Sequence, residues 1–175
     1  MLYSANAAGD GGWSITKIVM TEETIKSYWN QFLASLPPDS PYRARTYIAE
    51  GWGDGPALAD ELGALIVQGK KTATCSALWE WQAEGNPIPQ PGLITIALNG
   101  RGEPLCIVET FEVTIRKYNE VDADFAREEG EGDLSLEYWR KAHRNYFSRV
   151  LPRKTDKEFS EDMPLVCERF RVIYK

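Results

Sequence analysis

The sequence has few of the side chains from which metal sites and covalent sites are usually built. Its only histidine is His143, which excludes a site made from several histidines. The cysteines are an odd, widely spaced set in which no pair has zinc-ligand spacing, namely Cys75, Cys106 and Cys167. We therefore expect no metal site and no cofactor, and a reducing, cytoplasmic compartment is the simplest interpretation. Any chemistry would have to use lysine, hydroxyl, tyrosine, cysteine or carboxylate groups.

Long apolar runs and an excess of positive charge are also missing. No stretch approaches the ~18 apolar residues of a membrane span, so we expect no membrane partner. A net charge of −6 argues against coating nucleic acid by charge alone, and we expect no DNA partner, but a local basic pocket that reads one nucleotide is compatible with it. Residues 1–19 lack a signal-peptide core and are predicted to be a mobile extension or a misassigned start. Residues 20–175 are predicted to form one domain.

The order of periodic segments predicts an α+β fold. Apolar residues recur at helical spacing over about 21–35, 56–68, 120–128 and 134–149, and Asp133 is predicted to cap the last of these helices. Strand patterns cover about 72–76, 93–98, 104–116 and 165–174, while residues 41–50 fit either a short helix or a strand. Asn99-Gly100 predicts a hairpin turn. The long hairpin and the returning last strand predict a small, partly closed β-barrel with helices packed outside.

The segment from Gly69 to Ser76 is the centre of the predicted site. Gly69 follows a helical pattern and fits the left-handed cap position. Lys71 could serve as the base for the hydroxyl of Thr74 if burial or the adjacent Lys70 lowered its pKa. Residues three apart on a strand face opposite sides, so this requires Lys71 to lie in the turn before the strand. A lysine at a helix end beside a half-buried strand threonine explains the same pattern without chemistry, and both interpretations stay open.

Three further side chains are interpreted mainly as packing residues. Cys75 alternates with Thr74 and is expected to face the core. His143 is expected to be a core histidine with a satisfied hydrogen bond rather than a catalytic one. Trp79 and Trp81 could stack a base, although packing is the commoner use of such residues.

Two charged segments have both a functional and a structural interpretation. Residues 128–133 hold four carboxylates whose crowding could raise a pKa for acid–base work or bind a hard cation, but the segment could equally be a solvated helix-capping loop. Residues 140–157 hold seven basic residues and one acid, a local charge of +6. This segment could contact phosphate, or it could simply balance the acidic run at the other end of its helix.

The combination of these features resembles the ASCH domain family, a PUA-like β-barrel family linked to RNA. Gly69-Lys70-Lys71-Thr72-Ala73-Thr74 is similar to the lysine motif of that family. Parts of the segment over residues 125–139, together with His143 and Cys167-Glu168-Arg169-Phe170, are similar to its longer bacterial branch. The resemblance covers about residues 22–175 and implies a barrel whose cleft is lined by the lysine motif.

The resemblance also implies site residues. Short family members are amidohydrolases that remove acetyl from N4-acetylcytidine with a lysine, a threonine three residues later and a downstream glutamate. Lys71 and Thr74 match this spacing, and Glu129 is the best match for the glutamate, with Glu131 as the alternative. Together with the basic segment, the predicted substrate-binding residues are Gly69, Lys70, Thr72, Ser76, Glu131, Ser135, Arg140 and Arg144. Ser76 stands where the family motif has an arginine, and a lost arginine removes a fork that could hold a phosphate or a carbonyl.

Several functions are compatible with this site. In amide hydrolysis, Lys71 would take the proton of Thr74, Thr74 would attack the acetyl carbonyl, and Glu129 would protonate the leaving nitrogen. A ribonuclease would instead use Lys71 and the basic segment to stabilise phosphate charge. The alternatives from other classes are a non-catalytic RNA or nucleotide reader and a metabolite-sensing adaptor domain.

Overall fold

The computed structural model describes residues 15–175, with side chains from Glu22 onward. Over these residues, helices combine with a five-stranded sheet, which agrees with the predicted α+β class. The helices are α1 (Ile15–Ala34), α2 (Pro56–Val67), α3 (Leu78–Glu84), α4 (Ala123–Glu129) and α5 (Leu136–Lys154). The strands are β1 (Ile48–Glu50), β2 (Ala73–Ala77), β3 (Ile94–Leu98), β4 (Pro104–Lys117) and β5 (Pro164–Tyr174). None of the described helices is both long enough and apolar enough to cross a membrane.

The sheet has the strand order β1-β3-β4-β5-β2. Strand β1 runs parallel to β3, whereas β2 runs antiparallel to β5. Strands β3 and β4 are joined by the predicted hairpin, in which the amide of Asn99 donates to the carbonyl of Glu103 at 2.9 Å. In the β2–β5 pair, Thr74 lies opposite Glu168 and Cys75 lies opposite Cys167. This register determines which side chains share a face of the sheet near the predicted site.

The described residues form two compact units, each with its own apolar core. The first unit contains residues up to Val67 together with Ile94–Val108 and Val172–Lys175. Its core is built from Trp29, Phe32, Ile94, Ile96 and Ile107. The second unit contains Gln68–Leu93 and Glu109–Arg171. Its core joins one face of β2 and β5 to α4 and α5 through residues that include Ala73, Ala77, Phe125, Trp139, Phe147, Leu165 and Cys167. Every predicted site residue lies in this second unit.

Most local predictions are confirmed, and the differences concern α1, α3 and the cap of α5. Helix α2 begins at Pro56, and Gly69 beyond its end has a φ of 73°, as the left-handed cap requires. Residues 41–50 contain both of the alternatives, a 3-10 turn over Pro41–Ala44 and then β1. Helix α3 was not expected, because its seven residues are too few to show a helical period. Helix α1 begins before the predicted residue 21.

The predicted cap of α5 is wrong. The N-cap residue is Ser135, whose hydroxyl accepts the amide N–H of Tyr138 at 3.0 Å. Asp133 instead accepts the amide N–H of Ser135 at 2.9 Å. Leu134, between them, has a φ of 67°, and this left-handed residue separates Asp133 from the first helical turn. Two residues later in the chain, the serine takes the position that the aspartate was expected to hold.

The predicted extension over residues 1–19 falls mainly on residues 1–14, which lie outside the described residues, while α1 includes residues 15–19. The organisation of residues 20–175 as one domain stays a prediction.

Candidate functional site

A buried cluster of one lysine and two glutamates connects the start of β2 to the end of α4. The Nζ of Lys71 lies 2.6 Å from Oε2 of Glu129 and 2.8 Å from Oε1 of Glu131. The side chains of Lys71 and Glu129 are each 1% exposed, and that of Glu131 is 21% exposed. The fold therefore brings together three of the predicted site residues, although the lysine and the glutamates lie 58 and 60 residues apart in the sequence.

The backbone of the lysine motif next to this cluster is also in close contact with the end of α4. The amide of Thr72 donates to the carbonyl of Glu128 at 2.8 Å. Gly130 ends α4 with a φ of 75°, and a Cβ at this position would lie 2.5 Å from the carbonyl oxygen of Lys70. Only glycine fits here, because both the backbone conformation and the space exclude a side chain. The loop after α4 therefore packs directly against the lysine motif.

The charges in the cluster determine its protonation. Burial by itself lowers the pKa of Lys71, but the negative charges and hydrogen bonds of Glu129 and Glu131 outweigh it and hold that pKa above its ordinary value. Burial by itself raises the pKa of Glu129, but the charge of Lys71, the electrostatic interaction with His143 and the hydrogen bond from Lys71 hold it below its ordinary value. Near neutral pH, Lys71 is thus an ammonium ion and Glu129 is a carboxylate. A raised pKa disfavours Lys71 as a base, which would need a lowered pKa, and the role of Lys71 stays a prediction.

Aromatic and sulfur groups complete the surroundings of Glu129. The indole Nε1 of Trp139 donates to Oε1 of Glu129 at 3.2 Å, and the sulfur of Cys75 lies within 4.8 Å of a carboxylate oxygen of Glu129. His143 stacks on Trp139 with ring centroids 4.2 Å apart, and its Nε2 lies 3.5 Å from Oε1 of Glu129. Burial and the negative charge of Glu129 raise the pKa of the Cys75 thiol. As predicted, Cys75 packs against the core, but the lysine cluster lies on the same side.

Thr74 lies on the other face of β2. Ala73 and Ala77 are fully buried in the core of the second unit, and Cys75 packs against that core. Because side chains alternate along a strand, Thr74 and Ser76 point to the opposite face. Thr72 lies before β2, and its hydroxyl donates to the carbonyl of Glu128 at 3.4 Å. Over the residues from Glu22 on, no hydrogen bond joins Thr74 to Lys71. The predicted pairing of these two side chains is therefore corrected, since the ammonium group turns to the helix-facing side of the strand.

The face that carries Thr74 forms a second polar group of residues, here called the hydroxyl face and consisting of Thr74, Ser76, Thr110 and Glu168. The Oγ1 of Thr110 donates to Oε2 of Glu168 at 3.1 Å, and Thr74 lies directly across the strand pair from Glu168. The Oγ of Ser76 accepts from the indole of Trp81 at 2.8 Å. Sequence reasoning missed Thr110 and Glu168, because only the register of β2 with β5 reveals their position.

The remaining predicted binding residues do not join the lysine cluster in the described part of the chain. Lys70 is exposed in the turn before β2, and Ser135 is the cap of α5. Arg140 is exposed on α5, while Arg144 forms an ion pair with Glu161 and lies over the ring of Phe159. Helix α5 buries Trp139 and Phe147 against the core, so its basic residues face solvent.

Comparisons with known proteins agree with this architecture. A family model described as ASCH domain matches residues 50–174. The crystal structure of an ASCH domain from Lactobacillus crispatus is similar with a TM-score of 0.82 and 37% identity, covering 87% of this chain and 96% of that chain. A crystal structure of a protein from Enterococcus faecalis is similar with a TM-score of 0.76 and 31% identity, covering 87% of this chain and 90% of that chain. Among curated proteins, none matches this sequence.

The sheet order, the helices and the solved relatives define an α+β protein with a PUA-like sheet, as predicted. The chain belongs to the ASCH domain family.

Proposed function

We propose that this protein binds single-stranded RNA or a nucleotide at the hydroxyl face and does not hydrolyse an amide with Lys71 and Thr74. The observation that supports this proposal is the pairing of Lys71 with Glu129 and Glu131 in the protein interior. A buried ammonium ion held by two carboxylates cannot accept the proton of Thr74. The ion pairs of Lys71 instead connect the loop after α4 to the start of β2, and so they stabilise the strand that carries Thr74 and Ser76.

The hydroxyl face has the hydrogen-bond donors and acceptors that are needed to recognise the edge of a nucleic-acid base. Hydroxyl groups of Thr74 and Ser76 can both donate and accept hydrogen bonds, and the carboxylate of Glu168 accepts bonds from exocyclic amino groups. The indole of Trp81, oriented by Ser76, provides an aromatic surface beside these groups. Sequence-specific recognition of single-stranded RNA uses this combination of stacking and edge contacts.

Positive charge for phosphate contacts comes from exposed residues outside the lysine cluster. Lys70 lies in the turn directly before β2 and is exposed. Arg140 and Arg144 lie on α5, which packs against the opposite face of β2, so they are not part of this set. Because the whole chain carries a net charge of −6, these contacts would be few and local. Binding should then depend on salt through a small number of phosphates rather than through the whole surface.

Fluorescence anisotropy with labelled single-stranded RNA, combined with chromatography after incubation with N4-acetylcytidine, tests the proposal. Thr74→Val and Glu168→Gln should each weaken RNA binding by about tenfold, the equivalent of one good hydrogen bond. Thr46→Val is the matched control, since Thr46 is an exposed threonine in the first unit. Equal binding by the wild type and all three variants, or shortening of the RNA, would contradict the proposal.

A second candidate function, amide hydrolysis, is favoured by one observation. Thr74 lies directly across from Glu168, and side chains at such positions have Cβ atoms about 4.5–5.5 Å apart. A carboxylate at this distance could serve as the base that the hydroxyl of Thr74 needs. Release of cytidine from N4-acetylcytidine that persists in Lys71→Met but disappears in Glu168→Gln would support this function and overturn a purely binding role.

A further inference from the structure

We propose that Cys75, Glu129 and His143 form a binding site for a zinc-like divalent cation on the helix-facing side of β2. Each residue offers one ligand atom, and these atoms lie within 4.8 Å of one another. The residues come from β2, α4 and α5, so the site exists only in the folded second unit. This inference is independent of the hydroxyl face and adds a second site on the other side of the same strand.

The donor set fits a borderline-soft cation. Thiolate, imidazole and carboxylate are the ligands that Zn²⁺ takes, at bond lengths of about 2.0–2.3 Å. Tetrahedral geometry at these lengths places neighbouring ligand atoms about 3.3–3.5 Å apart. The Nε2 of His143 already lies 3.5 Å from Oε1 of Glu129. Three protein ligands leave one coordination position for water or another small ligand, as in the open zinc sites of enzymes.

The hydrogen bonds around His143 select the nitrogen that would bind the cation. The Nδ1 of His143 lies 3.0 Å from the carbonyl oxygen of Trp139, which can only accept a hydrogen bond, so Nδ1 carries a proton. With Nδ1 as the donor to this carbonyl, Nε2 is the ring nitrogen that faces the carboxylate of Glu129, and it is therefore the nitrogen placed to bind a cation. Metal-bound histidines commonly donate their other N–H to a backbone carbonyl in this way.

Trp139 orients the other ligand as well. Its indole donates to Oε1 of Glu129, and its ring stacks on the imidazole of His143. The second carboxylate oxygen of Glu129 stays with Lys71, so the cation does not require the buried ion pair to break. Cys75 and His143 are partly buried, and Glu129 is buried.

The charges of the cluster also favour a divalent cation. The formal charges of Lys71, Glu129 and Glu131 sum to −1. A bound Zn²⁺ and the thiolate that it creates bring the buried cluster to neutrality. The step is balanced, because the S–H bond of Cys75 breaks, an S–Zn bond forms, and one proton leaves to solvent.

Titration of the full-length, metal-free protein with Co²⁺ tests the site, since a cysteine ligand produces a thiolate-to-cobalt charge-transfer absorption. We expect this absorption to saturate at one Co²⁺ per chain, and Zn²⁺ to displace the cobalt. With Zn²⁺ near neutral pH, about one proton should be released per bound ion. Cys75→Ser should abolish the absorption and the proton release, and His143→Gln should weaken Co²⁺ binding at least tenfold.

Cys167→Ser is the matched control, because Cys167 is a buried cysteine directly opposite Cys75 on β5 and should leave the absorption unchanged. Absence of the absorption in the wild-type protein, or its persistence in Cys75→Ser, would overturn the proposal. The wild-type titration tests the proposal even if Cys75→Ser fails to fold. If the folded wild-type protein shows no thiolate-to-cobalt absorption, the site is excluded.

Discussion

Replacing Lys71 with methionine should destabilise the protein strongly, because it leaves a carboxylate buried without a counter-charge. Lys71 and Glu129 are both 1% exposed, which places the pair among buried ion pairs. Removing one partner of such a pair costs about 3–5 kcal/mol in the free energy of unfolding. For a domain of this size, each 1 kcal/mol lowers the melting temperature by about 2–4 °C, so Lys71→Met should lower it by roughly 6–20 °C. Urea denaturation followed by tryptophan fluorescence measures the free energy directly.

Two comparisons show whether the loss comes from the uncompensated charge. Glu131→Gln should cost about 1 kcal/mol or less, because Glu131 is 21% exposed and water can replace part of the interaction. The double variant Lys71→Met/Glu129→Gln should be more stable than Lys71→Met alone, since no buried charge is left. The deficit of Lys71→Met should also be smaller at acid pH. Without the lysine, burial raises the pKa of Glu129, so the folded state loses stability as the pH rises through that pKa.

The reasoning would be refuted if Lys71→Met lost less than about 1 kcal/mol, the range of exposed ion pairs. It would also fail if the double variant were as unstable as the single one, because the cost would then come from lost packing of the lysine side chain.

Three further outcomes follow from the structure. The pKa of Glu129 is lowered from 4.5 in the folded state, so the stability that the Glu129 carboxylate contributes is present above about pH 4.5 and is lost as the pH falls below it. The wild type should therefore exceed Glu129→Gln in the free energy of unfolding at neutral pH, and this difference should shrink in titrations below about pH 4.5. Gly130→Ala should destabilise by more than 1 kcal/mol in thermal denaturation, because the new Cβ meets the carbonyl of Lys70; equal melting temperatures would contradict the close contact. Ser135→Ala should cost about 1 kcal/mol and Asp133→Ala less, as chemical denaturation of both variants would show; the reverse order would restore Asp133 as the cap.

Much of the candidate site could be anticipated, but its geometry could not. The resemblance at the lysine motif pointed to Lys71, Glu129 and Glu131, and the structure places these three side chains in contact. The separation of Thr74 from Lys71 could not be predicted, because the side of β2 to which the Lys71 ammonium turns depends on where the carboxylates at the end of α4 lie. The pKa of Lys71 is raised by Glu129 and Glu131, and the adjacent Lys70 does not lower it.

The proposed cation site is a second example of geometry that could not be predicted from the sequence. The sparse histidines and cysteines suggested that no metal site was present, because cysteine and histidine spacing along a chain detects only ligands that are close in sequence. Cys75, Glu129 and His143 are far apart in the chain and meet only where β2, α4 and α5 pack together.

Local pattern by itself determined most helix and strand positions, the turn at Gly69 and the hairpin after β3. These features depend on the apolar period and on residues such as glycine, whose backbone preferences act within a few neighbours. The tertiary structure decided which face each functional side chain occupies, which lysine is charged and buried, and that Glu168 lies across from Thr74. Such relations arise from contacts between residues that are 58 positions apart for Lys71 and Glu129 and further apart for Thr74 and Glu168. The local sequence pattern at either position does not specify the strand register or the helix packing that creates these contacts.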